Sequence, residues 1–200
     1  MSVVDESLYC HLGVETPDGP LVLPMAHARQ GDTVYLHGAI ANGLLRAGVK
    51  APDRRTDAAS AGPGTTDAAS AGPWVCATFT IVDGLVFARS HFSHSMNYRC
   101  VVAFGELREV TELAEKRAAL DALVNHASPE RSSAARAPTD GELSGTRVVA
   151  MTLSQASMKV RAGAPHDFDW DANQPCWAGV IPIRLTADAP IQDAPEACKA

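Results

Sequence analysis

Paired cysteines are missing from this chain. Its five, Cys10, Cys76, Cys100, Cys176 and Cys198, are odd in number and nowhere spaced CxxC, which excludes a disulfide framework and a zinc knuckle. Four of them lie in apolar runs and read as reduced thiols of a core. A basic surplus is missing too. The 17 Lys and Arg face 23 Asp and Glu, for a formal charge of −6, which argues against a general nucleic-acid binder or a protein held on anionic lipid. No apolar run reaches the ~20 residues needed to span a bilayer. Met1–Asp5 has no basic segment leading into an apolar one. These absences predict a cytoplasmic protein with neither nucleic-acid nor membrane partners. GxSxG, GxxxxGKS/T and GxGxxG motifs are absent as well, and no two carboxylates are placed for acid–base work. The sequence assigns no catalytic residue and no metal site, so any chemistry would come from a bound cofactor.

What is present is ordinary globular material, 46% apolar and 20% charged over 200 residues, enough for one domain and too apolar for wholesale disorder. One segment stands apart. Thr56-Asp57-Ala58-Ala59-Ser60-Ala61-Gly62-Pro63 recurs as Thr66-Asp67-Ala68-Ala69-Ser70-Ala71-Gly72-Pro73. Two copies at a period of ten are too few and too short for a solenoid. With no large apolar residue, this stretch cannot offset its own ordering entropy. It reads as a low-complexity insert over 49–72 in a domain spanning 1–186, followed by a flexible tail over 187–200.

Short strands dominate the rest. The alternation predicts strands at Leu8–Val14, Pro20–Ala28 and Thr33–His37, joined through Pro17-Asp18-Gly19 and Gln30-Gly31-Asp32. Asn42–Ala47 reads as a short helix burying Leu44 and Leu45. Trp74–Val82 and Leu85–Arg89 read as a hairpin turning at Asp83-Gly84. Tyr98–Val110, Thr146–Leu153 and Cys176–Leu185 complete the set. Between them, Leu113, Leu120, Leu123 and Val124 form one helical stripe from Thr111, the expected N-cap, to His126. Six to eight strands with one good helix predict a mainly β protein, a β-barrel with added helices.

Two places could carry chemistry. His37 ends a strand and Gly38-Ala39 leads into a helix, where free backbone N–H groups and the helix dipole favour a phosphate. His at a strand end is also a common surface residue. Ser90-His91-Phe92-Ser93-His94-Ser95 with Asn97, Tyr98 and Arg99 gathers hydroxyls, imidazoles, an amide and a guanidinium, suited to an anion or the polar edge of a heterocycle. The HxxH of His91 and His94 has no third metal ligand nearby, and a solvated polar loop is the plain alternative.

Three stretches together resemble the FMN-binding split-barrel proteins related to pyridoxamine 5′-phosphate oxidase, in the flavin-nucleotide-binding branch that is similar to nitroimidazole-resistance proteins. They are Leu23-Pro24-Met25-Ala26-His27-Ala28 through Gly31 to Gly38; Val82 to Ser90 through His94-Ser95-Met96-Asn97-Tyr98-Arg99 to Phe104-Gly105 and Glu115-Lys116-Arg117; and Cys176-Trp177-Ala178-Gly179-Val180-Ile181-Pro182. The resemblance implies a six-stranded antiparallel split barrel of Greek-key type, forming a homodimer with FMN at its interface. It implies that Pro24, Met25, Ala26 and His27 line the isoalloxazine edge through backbone groups and that His37 and Gly38 meet the phosphate. Ser95, Asn97, Tyr98 and Arg99 would line the ring or phosphate, Trp177 would close the pocket, and Lys159 is a further cofactor-binding candidate. Two positions depart from the pattern: Ala41-Asn42-Gly43-Leu44-Leu45 has no Lys or Arg, and Cys100 stands where Ser or Gln is expected.

The leading expectation is therefore a flavin-dependent oxidoreductase exchanging hydride with a small substrate or with a donor such as NAD(P)H. The alternative is a non-catalytic flavin or haem module, with His11, His27, His91 or His94 as an axial ligand. Oxidation of pyridoxamine 5′-phosphate itself ranks below both.

Overall fold

The computed structural model describes residues 2–50 and 74–192. Most of the repeat insert and the end of the tail lie outside the described residues. The chain divides into two compact units. Unit one takes Met1–Ile81 and Tyr98–Arg161, and unit two takes Val82–Asn97 and Ala162–Ala200.

Unit one is built on strands β1 (Tyr9–Thr16), β2 (Gly19–Gln30), β3 (Thr33–Ala39), β5 (Ser95–Glu109), β6 (Thr146–Thr152) and β7 (Gln155–Arg161), with β4 (Trp74–Phe87) running on into unit two. The hydrogen-bonded order is β7-β5-β6-β3-β2-β1-β4, and β5 also pairs with β4. That last pairing closes β1 to β6 into a ring of six with β7 as an added edge strand. The connections are those of a Greek key: β1, β2 and β3 follow one another, then β4 returns beside β1 and β6 lies beside β3. The pairings β1–β2, β2–β3, β1–β4, β3–β6 and β5–β6 are antiparallel.

Alternation explains the ring. Cys10, Leu12 and Val14 of β1, Val75, Ala77 and Phe79 of β4, and Val101, Ala103 and Leu107 of β5 turn inward, as the two-residue period of a strand requires. Two strands are covered on both faces. Val34, Leu36, Val149 and Met151 face the barrel core, while Tyr35, Val148 and Ala150 face helix α3 (Leu113–Ala127) through Ala119 and Leu120. Helix α2 (Gly43–Lys50) inserts Leu44 and Leu45, and it lies so close to the sheet that a Cβ on Gly48 would stand 2.6 Å from Leu107 Cδ1. The five-residue helix α1 (Ser2–Glu6) plugs Val3 and Val4 into the same core.

Unit two carries the end of β4, a 3-10 turn at His91–Ser93, and β8 (Gly179–Pro182), which pairs antiparallel with β4 from Gly84↔Pro182 to Phe87↔Gly179. Two small helices, α4 (Arg131–Ala134) and α5 (Asp140–Gly145), precede β6 in unit one.

Several sequence expectations are corrected. Asp83-Gly84 is no turn: β4 runs straight through it. Gly84 is there because β8 crosses closely, and a Cβ would meet Val180 Cγ1 at 3.0 Å and Ile181 O at 3.1 Å. The N-cap of α3 is Glu112, not Thr111; its carboxylate accepts from the N–H groups of Ala114 and Glu115, in keeping with the favoured sign at a helix start. The buried face of α3 is Ala119 and Leu123, whereas Leu113 and Val124 are exposed. The last strand is four residues, not ten. Among the described residues Cys10 alone is a core thiol, its pKa pushed up to about 12 by burial; Cys76 and Cys100 are half-buried, Cys176 is exposed, and Cys198 lies outside the described residues. Among the described residues, no helix is long and apolar enough to cross a membrane.

Candidate functional site

Where β2 and β3 part company, unit one leaves a wedge of backbone unpaired among the described residues. The ladder between them runs only from Gln30↔Thr33 to His27↔Leu36. Beyond it β2 stays bonded to β1 through Ala26↔Tyr9, Met25↔Cys10 and Pro24↔His11. β3 stays bonded to β6 through His37↔Val148 and Gly38↔Arg147. β1 lies on the opposite edge of β2 from β3, so Pro24–Ala26 turn an unused edge toward the divergence. Such an edge offers N–H and C=O groups to a ligand, as backbone polar groups must find partners somewhere. The fold thus sets Pro24, Met25 and Ala26 on β2 and His37 and Gly38 on β3 along the two strands that diverge here.

The β3 end is tightly made. A Cβ on Gly38 would stand 2.9 Å from Asn42 Nδ2 and 3.2 Å from Leu45 Cδ1, so a larger residue here would have to displace the Asn42 amide at the helix start. Asn42 caps α2 by accepting from Leu45 N–H at 3.0 Å. His37 is half-buried; burial holds its pKa below the ordinary value, and its Nδ1 is buried without a hydrogen-bond partner among the described residues. A buried polar atom in that state costs stability until a ligand or water meets it. His37 belongs to the stretch of β3 that has left the ladder with β2.

Sequence reasoning missed Arg147. It faces Gly38 across the β3–β6 ladder, donates from Nη1 to Ile40 O at 2.9 Å and from Nε to Glu109 at 3.0 Å. A cation thus stands beside the phosphate-type turn although the turn itself has none. Only strand register could have revealed it.

The remaining candidates from the sequence sit on other elements. His27, fully buried, sends its ring into the core, with Nε2 donating to Val4 O at 2.8 Å; only its backbone can reach the wedge. Tyr98, Arg99 and Lys159 gather on the β5–β7 ladder, through Tyr98↔Arg161, Arg99↔Val160 and Cys100↔Lys159, and Arg99 pairs with Glu6 at 2.6 Å. Ser95, Asn97 and Trp177 belong to unit two. Ser95 is exposed, whereas Asn97 is buried and donates from Nδ2 to Gly163 O at 3.0 Å. The Trp177 indole lies over Gly179, where a Cβ would clash at 2.8 Å, and packs 5.9 Å from the Phe87 ring.

Unit two also holds an exposed aromatic surface. Phe168 and Trp170 stack at 4.5 Å and 10°, and Phe92 lies on Phe168 at 6.2 Å and 23°. The His94 ring meets Phe87 edge-on at 5.6 Å. Asp167 holds this surface to the β4 end by accepting from Arg89 N–H at 2.7 Å and from its guanidinium at 3.0 Å. Among the described residues no three His, Cys, Asp or Glu side chains converge as a metal site.

Comparison with known proteins agrees with this architecture. The chain matches the family model described as pyridoxamine 5′-phosphate oxidase over residues 1–61 and 57–160. Among curated proteins none matches it in sequence. It is similar to the flavocytochrome Anf3 from Azotobacter vinelandii, with 30% identity and a TM-score of 0.80, over 98% of this chain and 82% of that one. It is similar to a FAD and haem binding protein from Mycobacterium smegmatis, with 28% identity and a TM-score of 0.81, over 97% and 84% of the two chains. A 5-nitroimidazole antibiotic resistance protein from Bacteroides thetaiotaomicron shares the fold, with 22% identity and a TM-score of 0.57, over 78% and 79%. With its six-stranded split barrel and a family match across most of its length, this chain belongs to the pyridoxamine 5′-phosphate oxidase family.

Proposed function

We propose that this chain is a flavin-dependent oxidoreductase with its flavin nucleotide in the β2–β3 wedge. The observation that carries the reading is the β2 edge at Pro24–Ala26, unpaired among the described residues, at the divergence from β3, whose His37 has a buried Nδ1 with no hydrogen-bond partner among them. The residues fit such a group. The flat polar edge of the ring system would hydrogen-bond the backbone of Met25 and Ala26. The phosphate would lie at the Gly38 turn and the start of α2, where the dipole favours an anion. Arg147 adds charge there. A bound flavin supplies hydride or single-electron transfer at its ring; the protein's task is to hold it, shape its polarity and exclude competing reactions.

FMN is the expected nucleotide. FAD is the alternative that the Mycobacterium smegmatis relative brings forward, and both present the same ring and proximal phosphate. NAD(P)H is the expected donor class. A second copy of the chain is the proposed partner. Leu21, Val22 and Leu23 are 39%, 57% and 40% exposed on consecutive positions of β2, so both faces of this strand segment are apolar and uncovered.

Titration of FMN and FAD into the stripped protein tests the reading, together with mass identification of whatever the purified protein carries. Micromolar or tighter binding of either nucleotide, and reduction by NADH or NADPH in stopped flow, is the expected result. A colourless protein indifferent to both nucleotides would overturn it. Peroxide release with pyridoxamine 5′-phosphate would move the substrate to the family's namesake reaction.

A second reading adds haem. The Mycobacterium smegmatis relative is described as a FAD and haem binding protein and the Azotobacter vinelandii relative as a flavocytochrome, and one imidazole of unit two bonds a backbone carbonyl through Nδ1, which leaves Nε2 as the lone-pair nitrogen. The protein would then be a flavin and haem carrier passing electrons between the two groups.

A further inference from the structure

Seven histidines occur in the chain, and their hydrogen bonds sort them. A carbonyl oxygen can only accept, so an imidazole nitrogen bonded to one carries the hydrogen, and the neutral ring keeps its lone pair on the other nitrogen. His27 donates through Nε2 to Val4 O inside the barrel, which leaves only a buried Nδ1. His126 donates through Nε2 to Ser7 O and is half-buried. Neither has room for a macrocycle. His94 is the reverse case: it is exposed, and Nδ1 lies 2.8 Å from Ser90 O. Nδ1 therefore holds the hydrogen and Nε2, the distal nitrogen, holds the lone pair. A backbone carbonyl fixing one ring nitrogen while the other ligates is the recurring arrangement of protein metal-bound histidine.

The surroundings of that ring are independent evidence. Phe92, in the same turn, is 84% exposed, Trp170 75% and Trp177 63%. Rings of this size seldom stay bare in water unless something covers them. They are not scattered: Phe92, Phe168 and Trp170 form a continuous stack, and the Phe87 ring joins His94 to Trp177. A wide planar aromatic ligand with a metal at its centre matches both halves of this surface, the ring faces and the lone-pair donor.

Resting on the haem reading above, we propose that His94 of unit two ligates the haem iron through Nε2, with Phe92, Phe168, Trp170 and Trp177 covering the macrocycle. His11 and His91, the other exposed histidines named as axial candidates from the sequence, have no ring N–H bonded to a carbonyl among the described residues.

The test is a hemin titration of the full-length protein, followed by absorbance and electron paramagnetic resonance. Wild type is expected to take up one haem per chain with an imidazole-ligated spectrum. His94→Ala should weaken binding at least about tenfold and lose that spectrum, and added free imidazole should restore it. His94→Tyr should keep haem but display a phenolate-ligated spectrum, so the outcome does not hang on one variant's folding. His11→Ala and His91→Ala should leave the spectrum as in wild type. A His94→Ala protein with wild-type spectrum and affinity, or loss of the spectrum in His91→Ala or His11→Ala in its place, would overturn the assignment while leaving haem binding standing. Wild type that shows no Soret band overturns the haem reading itself and the assignment with it, whatever the flavin titration shows.

Discussion

The rings of His27 and His126 stand 4.7 Å apart, and they hold the two ends of one segment: His27 donates to Val4 O and His126 to Ser7 O, both at 2.8 Å. The segment is the second half of helix α1 and the residue after it, and Val3 and Val4 of that helix close the barrel core. Asp5 pairs with Arg29 and Glu6 with Arg99 on the same helix. Phe79 packs edge-on against His27 at 4.8 Å. Burial holds the His27 pKa below its ordinary value; the bond to Val4 and the Asp5 charge oppose that shift, and the neighbouring His126 adds to it. A histidine whose folded pKa is depressed binds its proton more readily when unfolded, so its contribution to stability is complete above pH ~6.5 and drains away as pH falls toward the folded value. Urea midpoints measured from pH 7.5 to 5 should therefore fall, and His27→Gln should flatten that slope. His27→Gln should also cost about 1–3 kcal/mol at pH 7.5 through the disturbed buried hydrogen bond. A slope unchanged in the variant would place the acid sensitivity elsewhere.

Gly38 and Asn42 are coupled through the 2.9 Å approach of a would-be Cβ to Asn42 Nδ2. Gly38→Ala should cost about 1–3 kcal/mol by overpacking, and Asn42→Ala about 1 kcal/mol through the lost cap. The double variant should cost less than the sum, because removing the Asn42 amide relieves the crowding that the new methyl creates. Chemical denaturation of the four proteins gives the cycle directly. Strict additivity would mean that the methyl is accommodated by some other movement, with Leu45 the next nearest group.

Gly84 tests the corrected course of β4. In a two-residue turn, alanine would be strained by its backbone angles; in a continuous strand crossed by β8, it would be crowded by Val180 and Ile181 instead. Gly84→Ala should therefore accelerate amide exchange in β8 from Gly179 to Pro182, and shift the emission of Trp177 just before it. The β1–β2 ladder of unit one should exchange as before. Protection of β8 unchanged in the variant would argue against the close crossing.

How much of this was legible depended on where each residue's partner lay. Cys10, Leu12 and Val14, or Val75, Ala77 and Phe79, alternate along their own strands, so the barrel could be read from local pattern alone. The turns at Gly19 and Gly31 were legible for the same reason, and both glycines have positive φ. The Asp83-Gly84 pair misled because it carries the same dipeptide signal as a turn, while its cause, the approach of β8, lies nearly a hundred residues downstream. β7 was missed although Ala156, Met158 and Val160 alternate with polar residues, because it is an exposed edge strand with no buried face. Helix α1 has too few residues to hold itself, and it exists through distant partners such as His27 and His126. The site divides along the same line: His37 and Gly38 announced themselves as a strand end before a helix, whereas Arg147 became visible only through register with Gly38.

Arg147 bears directly on the flavin reading. Its guanidinium is held between Glu109 and the Ile40 carbonyl, beside the turn at which the phosphate is proposed to bind. A charge-assisted hydrogen bond is worth about 1.5–3 kcal/mol, so Arg147→Met should raise the Kd for FMN about tenfold to a hundredfold. The same substitution should leave riboflavin, which has the ring but no phosphate, bound as in wild type. Arg147→Lys should recover part of the loss, since it restores charge without the fork geometry. The comparison of FMN with riboflavin separates a phosphate contact from mere loosening of the β3–β6 ladder, which would weaken both ligands together. Equal weakening of both would remove Arg147 from the phosphate site and leave it as a brace for the turn.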